Sequence, residues 1–308
     1  MMKLPHVSDR PFLTDAGLET WLLFQRGFDL PFFASFPLLQ DAAGRAAMTE
    51  YFSGFLTLAK EQSTGFVLDT CTWRANPDWA ARMGHDAVAL AEINAEAVRY
   101  AMALRDGAEA RDAVLINGVV GPRDDGYDPA QLMSVIEARA YHQLQVDALA
   151  QYGVDLVSAI TMTNTAEAIG IANAAAQAGV PCVVSFTVET DGRLPTGQHL
   201  SEAIAETDAK SSERPVYYMI NCAHPDHFRD VVGQGTWRNR ISGLRANASR
   251  LSHAELDACE SLDDGDPQEL GALYADLKAY LPRLNVFGGC CGTDLRHVSS
   301  ICQAVRAA

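Results

Sequence analysis

An α/β fold that closes into an eight-stranded parallel barrel is what this sequence predicts, on three observations. Eight short apolar, β-rich runs alternate with longer helical patterns at intervals of roughly 30–45 residues, the size of a strand–helix unit. No low-complexity tract or long linker interrupts the 308 residues, so a single domain over 1–308 is expected. Cysteines fall at the ends of runs six and eight. In a closed (β/α)8 (TIM) barrel those ends share the C-terminal rim, where such barrels keep their chemistry. An open doubly wound sheet would satisfy the alternation alone; the shared rim favours the barrel.

The runs, in order, are Phe12–Asp15, Gly65–Thr70, Ala113–Val120, Val154–Thr161, Pro181–Val188, Val216–Cys222, Arg240–Ala246 and Leu284–Gly289. Helices are predicted between them over Asp41–Glu61, Asp78–Arg105, Pro129–Gln151, Ala166–Ala178, Ser201–Ser211, Pro267–Ala279 and Asp294–Ala307. Pro129, Pro225 and Pro267 suit a first helical turn, where the missing N–H costs nothing. Thr293 or Asp294 can cap the last helix.

With 48% hydrophobic and 20% charged residues the chain can bury a substantial core. A formal charge of −15 argues against a nucleic-acid or anionic-membrane partner, since both need a basic surface. Met1 to Arg10 lacks the apolar stretch of a signal peptide, and no window approaches the ~20 apolar residues of a membrane span. Seven cysteines, an odd count without an export signal, speak against a disulfide framework. A cytoplasmic location is expected, with thiols free for a metal or for chemistry. The number of subunits stays open, a homo-oligomer included.

The most informative stretch is Phe287-Gly288-Gly289-Cys290-Cys291-Gly292-Thr293. Neighbouring residues of a strand point to opposite faces, so adjacent cysteines do not ordinarily share an ion. The glycines reach backbone conformations closed to other residues and let both sulfurs turn to one point. Cys222, in Ile220-Asn221-Cys222-Ala223-His224-Pro225, is the third candidate. Three thiolates with an open fourth position describe a catalytic zinc site. Competing readings are buried small side chains, a vicinal disulfide switch, or a phosphate-binding Gly-Gly turn.

His224 and His227 offer an alternative local ligand set. Asn221 is positioned to hydrogen-bond a thiolate or substrate. Asp15, followed by Ala16-Gly17-Leu18-Glu19, either binds a substrate ammonium or caps a helix, and Glu189 after run five is equally ambiguous. Thr161, Asn164 and Asn247 close runs four and seven at the same mouth. Trp73 and Arg74 after run two are candidates for a second ligand. Asp263-Asp264-Gly265-Asp266 lacks the later glutamate of a calcium loop and reads as a solvated turn.

These residues resemble the homocysteine S-methyltransferase family over essentially the whole chain. Gly288 to Asp294 looks like that family's second zinc motif, and Asn221 to Pro225 like its first. Supporting matches are Asp15-Ala16-Gly17, Asn117-Gly118-Val119-Val120-Gly121-Pro122, Gly153-Val154-Asp155 and Ser185-Phe186-Thr187. The resemblance implies an eight-stranded barrel, Zn²⁺ held by Cys222, Cys290 and Cys291, and Asp15 in contact with an amino acid acceptor. Two departures stand out. The Phe-Glu-Thr segment usual at the end of strand four is Ala159-Ile160-Thr161 here, so its substrate-holding glutamate is missing, and Glu19 stands where the family has glycine. Glu19 or Glu189 supplying the lost charge, or an acceptor other than homocysteine, are the two ways to reconcile this.

The implied activity is zinc-dependent methyl transfer from a small sulfonium donor, S-methylmethionine or S-adenosylmethionine, to a zinc-bound thiol. Homocysteine is the expected acceptor and methionine the product, which places the enzyme in methionine biosynthesis. Metal coordination deprotonates the thiol, and three cysteinates keep the site electron-rich, favouring attack on a cationic donor. Betaine as donor, another thiol as acceptor, a vicinal-cysteine redox or metal sensor, and a barrel with zinc but no catalysis remain the alternatives.

Overall fold

The computed structural model of the protein describes residues 2–128 and 132–308. Eight parallel strands pair in sequence order and the last returns to the first, closing the predicted barrel. They are β1 (Phe12–Leu13), β2 (Gly65–Asp69), β3 (Val114–Val120), β4 (Leu156–Met162), β5 (Cys182–Phe186), β6 (Tyr217–Asn221), β7 (Ile241–Ala246) and β8 (Val286–Gly289). Each lies within or across its predicted run. β1 is the shortest because the chain turns at the rim, although the Thr14 amide still donates to Phe287 O at 2.9 Å.

The helices differ from expectation in two places. The predicted Asp78–Arg105 helix is two, Pro77–Arg82 and Ala87–Gly107. Gly84, at φ +83°, breaks the chain between them, and Asn76 and Asp86 each cap a new start. Pro129, expected in a first helical turn, lies outside the described residues. The following helix is Val135–Gln151, begun by a capping box of Ser134 and Glu137. Pro225 and Pro267 do open helices, but Pro225–Phe228 is a single turn. Of the two candidates for the last cap, Asp294 takes the role for Leu295–Ala307, accepting from the Arg296 amide at 2.9 Å. Thr293 instead donates to Cys290 O at 2.7 Å and ties the cysteine turn to that helix.

Apolar side chains fill two layers. Phe12, Leu115, Leu156, Tyr217, Met219 and Val286 pack inside the barrel, so its interior is a core and not a channel. A larger layer lies between strands and helices, with Phe52, Phe55, Phe66, Phe186 and Tyr274 fully enclosed. Each such side chain contributes about 1.5–3 kcal/mol by leaving water. The rigid frame therefore fixes the strand ends that carry the rim residues. Among the described residues no helix is long and apolar enough to cross a membrane.

The Asp294 carboxyl is held well below its usual range: burial works against this, but hydrogen bonds from His297 and Arg296 prevail. A depressed carboxyl adds stability above its ordinary titration range and loses it as pH falls through the folded value. Asp294→Ala is expected to lower unfolding free energy in urea by about 1–2 kcal/mol at neutral pH. The gap to the parent protein should narrow below about pH 4.

Candidate active site

On the C-terminal rim the Sγ atoms of Cys222, Cys290 and Cys291 all lie within 4.8 Å of one another. Cys222 and Cys291 approach to 3.6 Å. Two thiolates on a tetrahedral zinc, each about 2.3 Å from it, sit about 3.8 Å apart, so the donor set fits such an ion. Hydrogen bonds from Cys222 and Cys291 pull the Cys290 thiol well below its ordinary range; the bond to Cys290 pushes Cys222 well above it against the pull of Cys291, and bonds to Cys222 and Cys290 push Cys291 up. A divalent cation is what would let all three ionise.

Local backbone geometry creates this convergence. Cys222 leaves β6 at φ +55°, a left-handed conformation that a cysteine adopts only when its surroundings hold it. Its amide donates to Arg245 O at 3.1 Å, and its carbonyl receives His253 Nε2 at 2.8 Å. The other ring nitrogen of His253 meets Glu189 Oε1 at 3.1 Å. Cys290 and Cys291 lie beyond β8, outside strand alternation, and turn back through Gly292 at φ +78°. Gly288 and Gly289 remain extended, contrary to the expectation of special dihedrals. Their role is close approach: a Cβ at Gly288 would strike Thr14, and one at Gly289 would strike Thr293.

The sulfurs face a cavity of about 390 Å³. Its floor is a buried ion cluster. Arg245 of β7 reaches over β8, donating through Nε to Gly289 O at 3.2 Å, through one Nη to Asp15 Oδ1 at 2.6 Å and through the other to Asp69. Burial pushes the Asp15 carboxyl up to about 8, against the pull of Arg245, and Tyr51 adds a hydrogen bond at 3.3 Å. Leu18, Phe24, Phe33, Leu256 and Leu262 form apolar walls. Tyr127, from the loop after β3, stands over the centre with its hydroxyl 2.9 Å from Cys222 Sγ and 3.8 Å from Cys291 Sγ. Its ring stacks on His253 at 3.9 Å.

Asp15, Gly17, Glu19 and Thr161 line this cavity with the three cysteines. Asp15 is already engaged by Arg245, and Glu19 accepts from Ser35 at 2.7 Å. Burial raises the Glu19 carboxyl above its usual range despite that bond. Thr161 has φ +66° and is clamped by Asn221, whose side chain accepts from its amide at 3.0 Å and donates to its hydroxyl at 2.8 Å. Asn221 thus shapes the rim from below, with Nδ2 3.9 Å from Cys290 Sγ. Glu189 does not line the cavity; its carboxylate orients His253.

His224 and His227, offered as an alternative ligand set, are not grouped with the three cysteines. His224 accepts from the Asp226 amide at 3.2 Å as a helix cap, with burial lowering its pKa to about 4, and His227 binds Arg250 O at 2.9 Å. Asn164 caps the Thr165–Ala178 helix. Cys71 lines the cavity, but burial pushes its thiol up to about 12. Arg74 holds the loop that carries Tyr127, donating to Asp124 O at 2.6 Å. Sequence reasoning passed over Arg245, Asp69, Tyr127 and His253. A charged residue closing an apolar run was a usable signal for the first two; the others sit in loops without any periodic cue.

An eight-stranded barrel with a three-cysteine centre on its C-terminal rim defines a class of protein, and comparison with known proteins narrows it. The family model described as homocysteine S-methyltransferase matches residues 12–305, and the chain belongs to that family. Among solved structures, the oxidized form of the homocysteine methyltransferase MmuM from Escherichia coli is similar, with 20% identity and a TM-score of 0.75 over 96% of each chain. The metallated form of the same protein aligns with 19% identity and a TM-score of 0.71, over 98% of this chain and 96% of the other. At this identity the likeness concerns the fold.

Two substitutions probe the arrangement. Arg245→Leu leaves Asp15 and Asp69 buried without a cation and should cost about 3–5 kcal/mol in urea unfolding. His253→Ala releases the Cys222 carbonyl and should weaken zinc binding about 10–100-fold in a chelator competition while the fold persists.

Proposed function

We propose that this protein is a cytoplasmic, zinc-dependent thiol S-methyltransferase, carrying methyl groups from a small sulfonium donor to a thiol of which homocysteine is the family's example. The observation that carries this reading is the convergence of the Cys222, Cys290 and Cys291 sulfurs on the lining of the rim cavity. Those three residues would hold the ion. When bound, it supplies an acceptor sulfur that is deprotonated yet still nucleophilic at neutral pH.

The chain's own groups account for the rest. Six acidic side chains against two arginines line the cavity, which attracts a cationic donor and disfavours an anionic one. Transfer is a displacement: a lone pair on the acceptor sulfur forms the new S–C bond while the sulfonium S–C bond breaks. The donor leaves as a neutral sulfide, so no general acid is required. The apolar walls would keep water from competing, and holding donor and acceptor in one cavity would align the reacting atoms. Tyr127 stands where the acceptor sulfur would approach and must give way to it.

Protein purified without added metal should contain about one zinc per chain, and Cys291→Ala should retain little. Incubation with methyl-labelled S-methylmethionine or S-adenosylmethionine and a thiol panel should give a labelled thioether. Reversible loss of two titratable thiols without any thioether would instead favour a redox sensor.

A further inference from the structure

An amino acid thiol such as homocysteine, held by its sulfur at the three cysteines, carries an ammonium into the cavity. Taken out of water, that cation needs an anionic partner. Most of the carboxylates on the lining already have one. Asp15 and Asp69 share Arg245. Asp125 accepts from the Tyr127 amide at 2.8 Å and faces Arg74 at 3.7 Å. Asp263 accepts from Ser249 Oγ at 2.6 Å and from the Gly265 amide at 3.2 Å. Asp257 is exposed, where water screens it. At the end of β4 the lining residue is Ile160, which offers no charge.

Glu19 is different. It lines the cavity half-buried, and its Oε1 accepts from Ser35 Oγ at 2.7 Å. Apart from Ser35 and its own amide, no group among the described residues donates to this carboxylate. Its place relative to the sulfurs is fixed by the chain on both sides. Gly17 donates its amide to Thr293 O at 3.2 Å, and Thr20 Oγ1 receives the Gly292 amide at 3.2 Å. A Cβ at Gly17 would strike Cys290 O, so the turn carrying Glu19 lies directly against the turn carrying Cys290 and Cys291. Glu19 is near enough to Cys290 for that sulfur to raise its carboxyl, after the larger effect of burial. Ser35, itself buried, holds the carboxylate by one oxygen and leaves the other for a ligand.

We propose that Glu19 receives the ammonium of the acceptor and so sets a preference for an amino acid thiol over a thiol without an amine. This rests on the reading that a homocysteine-like thiol is the acceptor, and it assigns the carboxylate that recognises it.

Isothermal titration of the zinc-loaded protein and of its Glu19→Gln variant, each with homocysteine and with mercaptobutyrate (which lacks only the amine), tests the assignment. The amide keeps the volume and the acceptor for Ser35 while removing the charge. The parent should bind homocysteine about 10–100-fold tighter than mercaptobutyrate. The variant should bind the two about equally, with its zinc content unchanged and its mercaptobutyrate affinity no lower than the parent's. A variant that keeps the parent's preference for homocysteine, or that loses both thiols alike, would overturn the assignment. So would a parent indifferent to the amine, a comparison that needs no variant to fold. Labelled methyl transfer to homocysteine by the parent is read separately. Its failure with binding intact defeats the transferase reading and leaves Glu19 to be decided by the titrations, whereas a parent that binds neither thiol defeats both.

Discussion

Three thiols crowded into one small volume form the constraint on which this rim is built. Sulfurs at 3.6 Å gain little from each other as neutral groups and repel as thiolates. Such an arrangement persists only because the frame enforces it. The left-handed Cys222, locked by Arg245 O and by His253, is one support. The glycine passage past Thr14 and Thr293 is the other. Both are paid for by a barrel core that does not depend on the cysteines, which is how a strained site can coexist with a stable fold.

Around that centre, charge is arranged with an economy of cations. One guanidinium on β7 serves two carboxylates from across the barrel closure, and the second is used to hold a loop. The result is a cavity whose fixed field is negative before any ligand enters. Cationic donors and acidic surroundings are compatible on simple electrostatic grounds.

Much of the architecture was legible in advance because it rests on period and punctuation. All eight strands and most helices follow from apolar runs separated by amphipathic stretches, and the Cys222 and Cys290-Cys291 strand ends meet as topology requires. The split at Gly84 escaped because a helical pattern on both sides masks a single turn residue. Glu189 illustrates a deeper limit: its place after β5 was readable, but the direction of its carboxylate was set by His253, far away in sequence. Asp15 was recognised as a rim acid, yet its partner Arg245 was overlooked, since a pair separated by 230 positions leaves no local trace. Long-range side-chain partners are the part of a site that one sequence does not display.

The two-residue β1 gives the barrel a weak seam, with few backbone bonds on either flank. Arg245 bridges that seam like a clasp, linking β7 over β8 to Asp15 beyond β1 and to Asp69 of β2. Floor and closure are therefore the same residues. Descendants of this protein are free to change their ligand by remodelling the walls, but any drift in the floor would have to mend the closure at the same time.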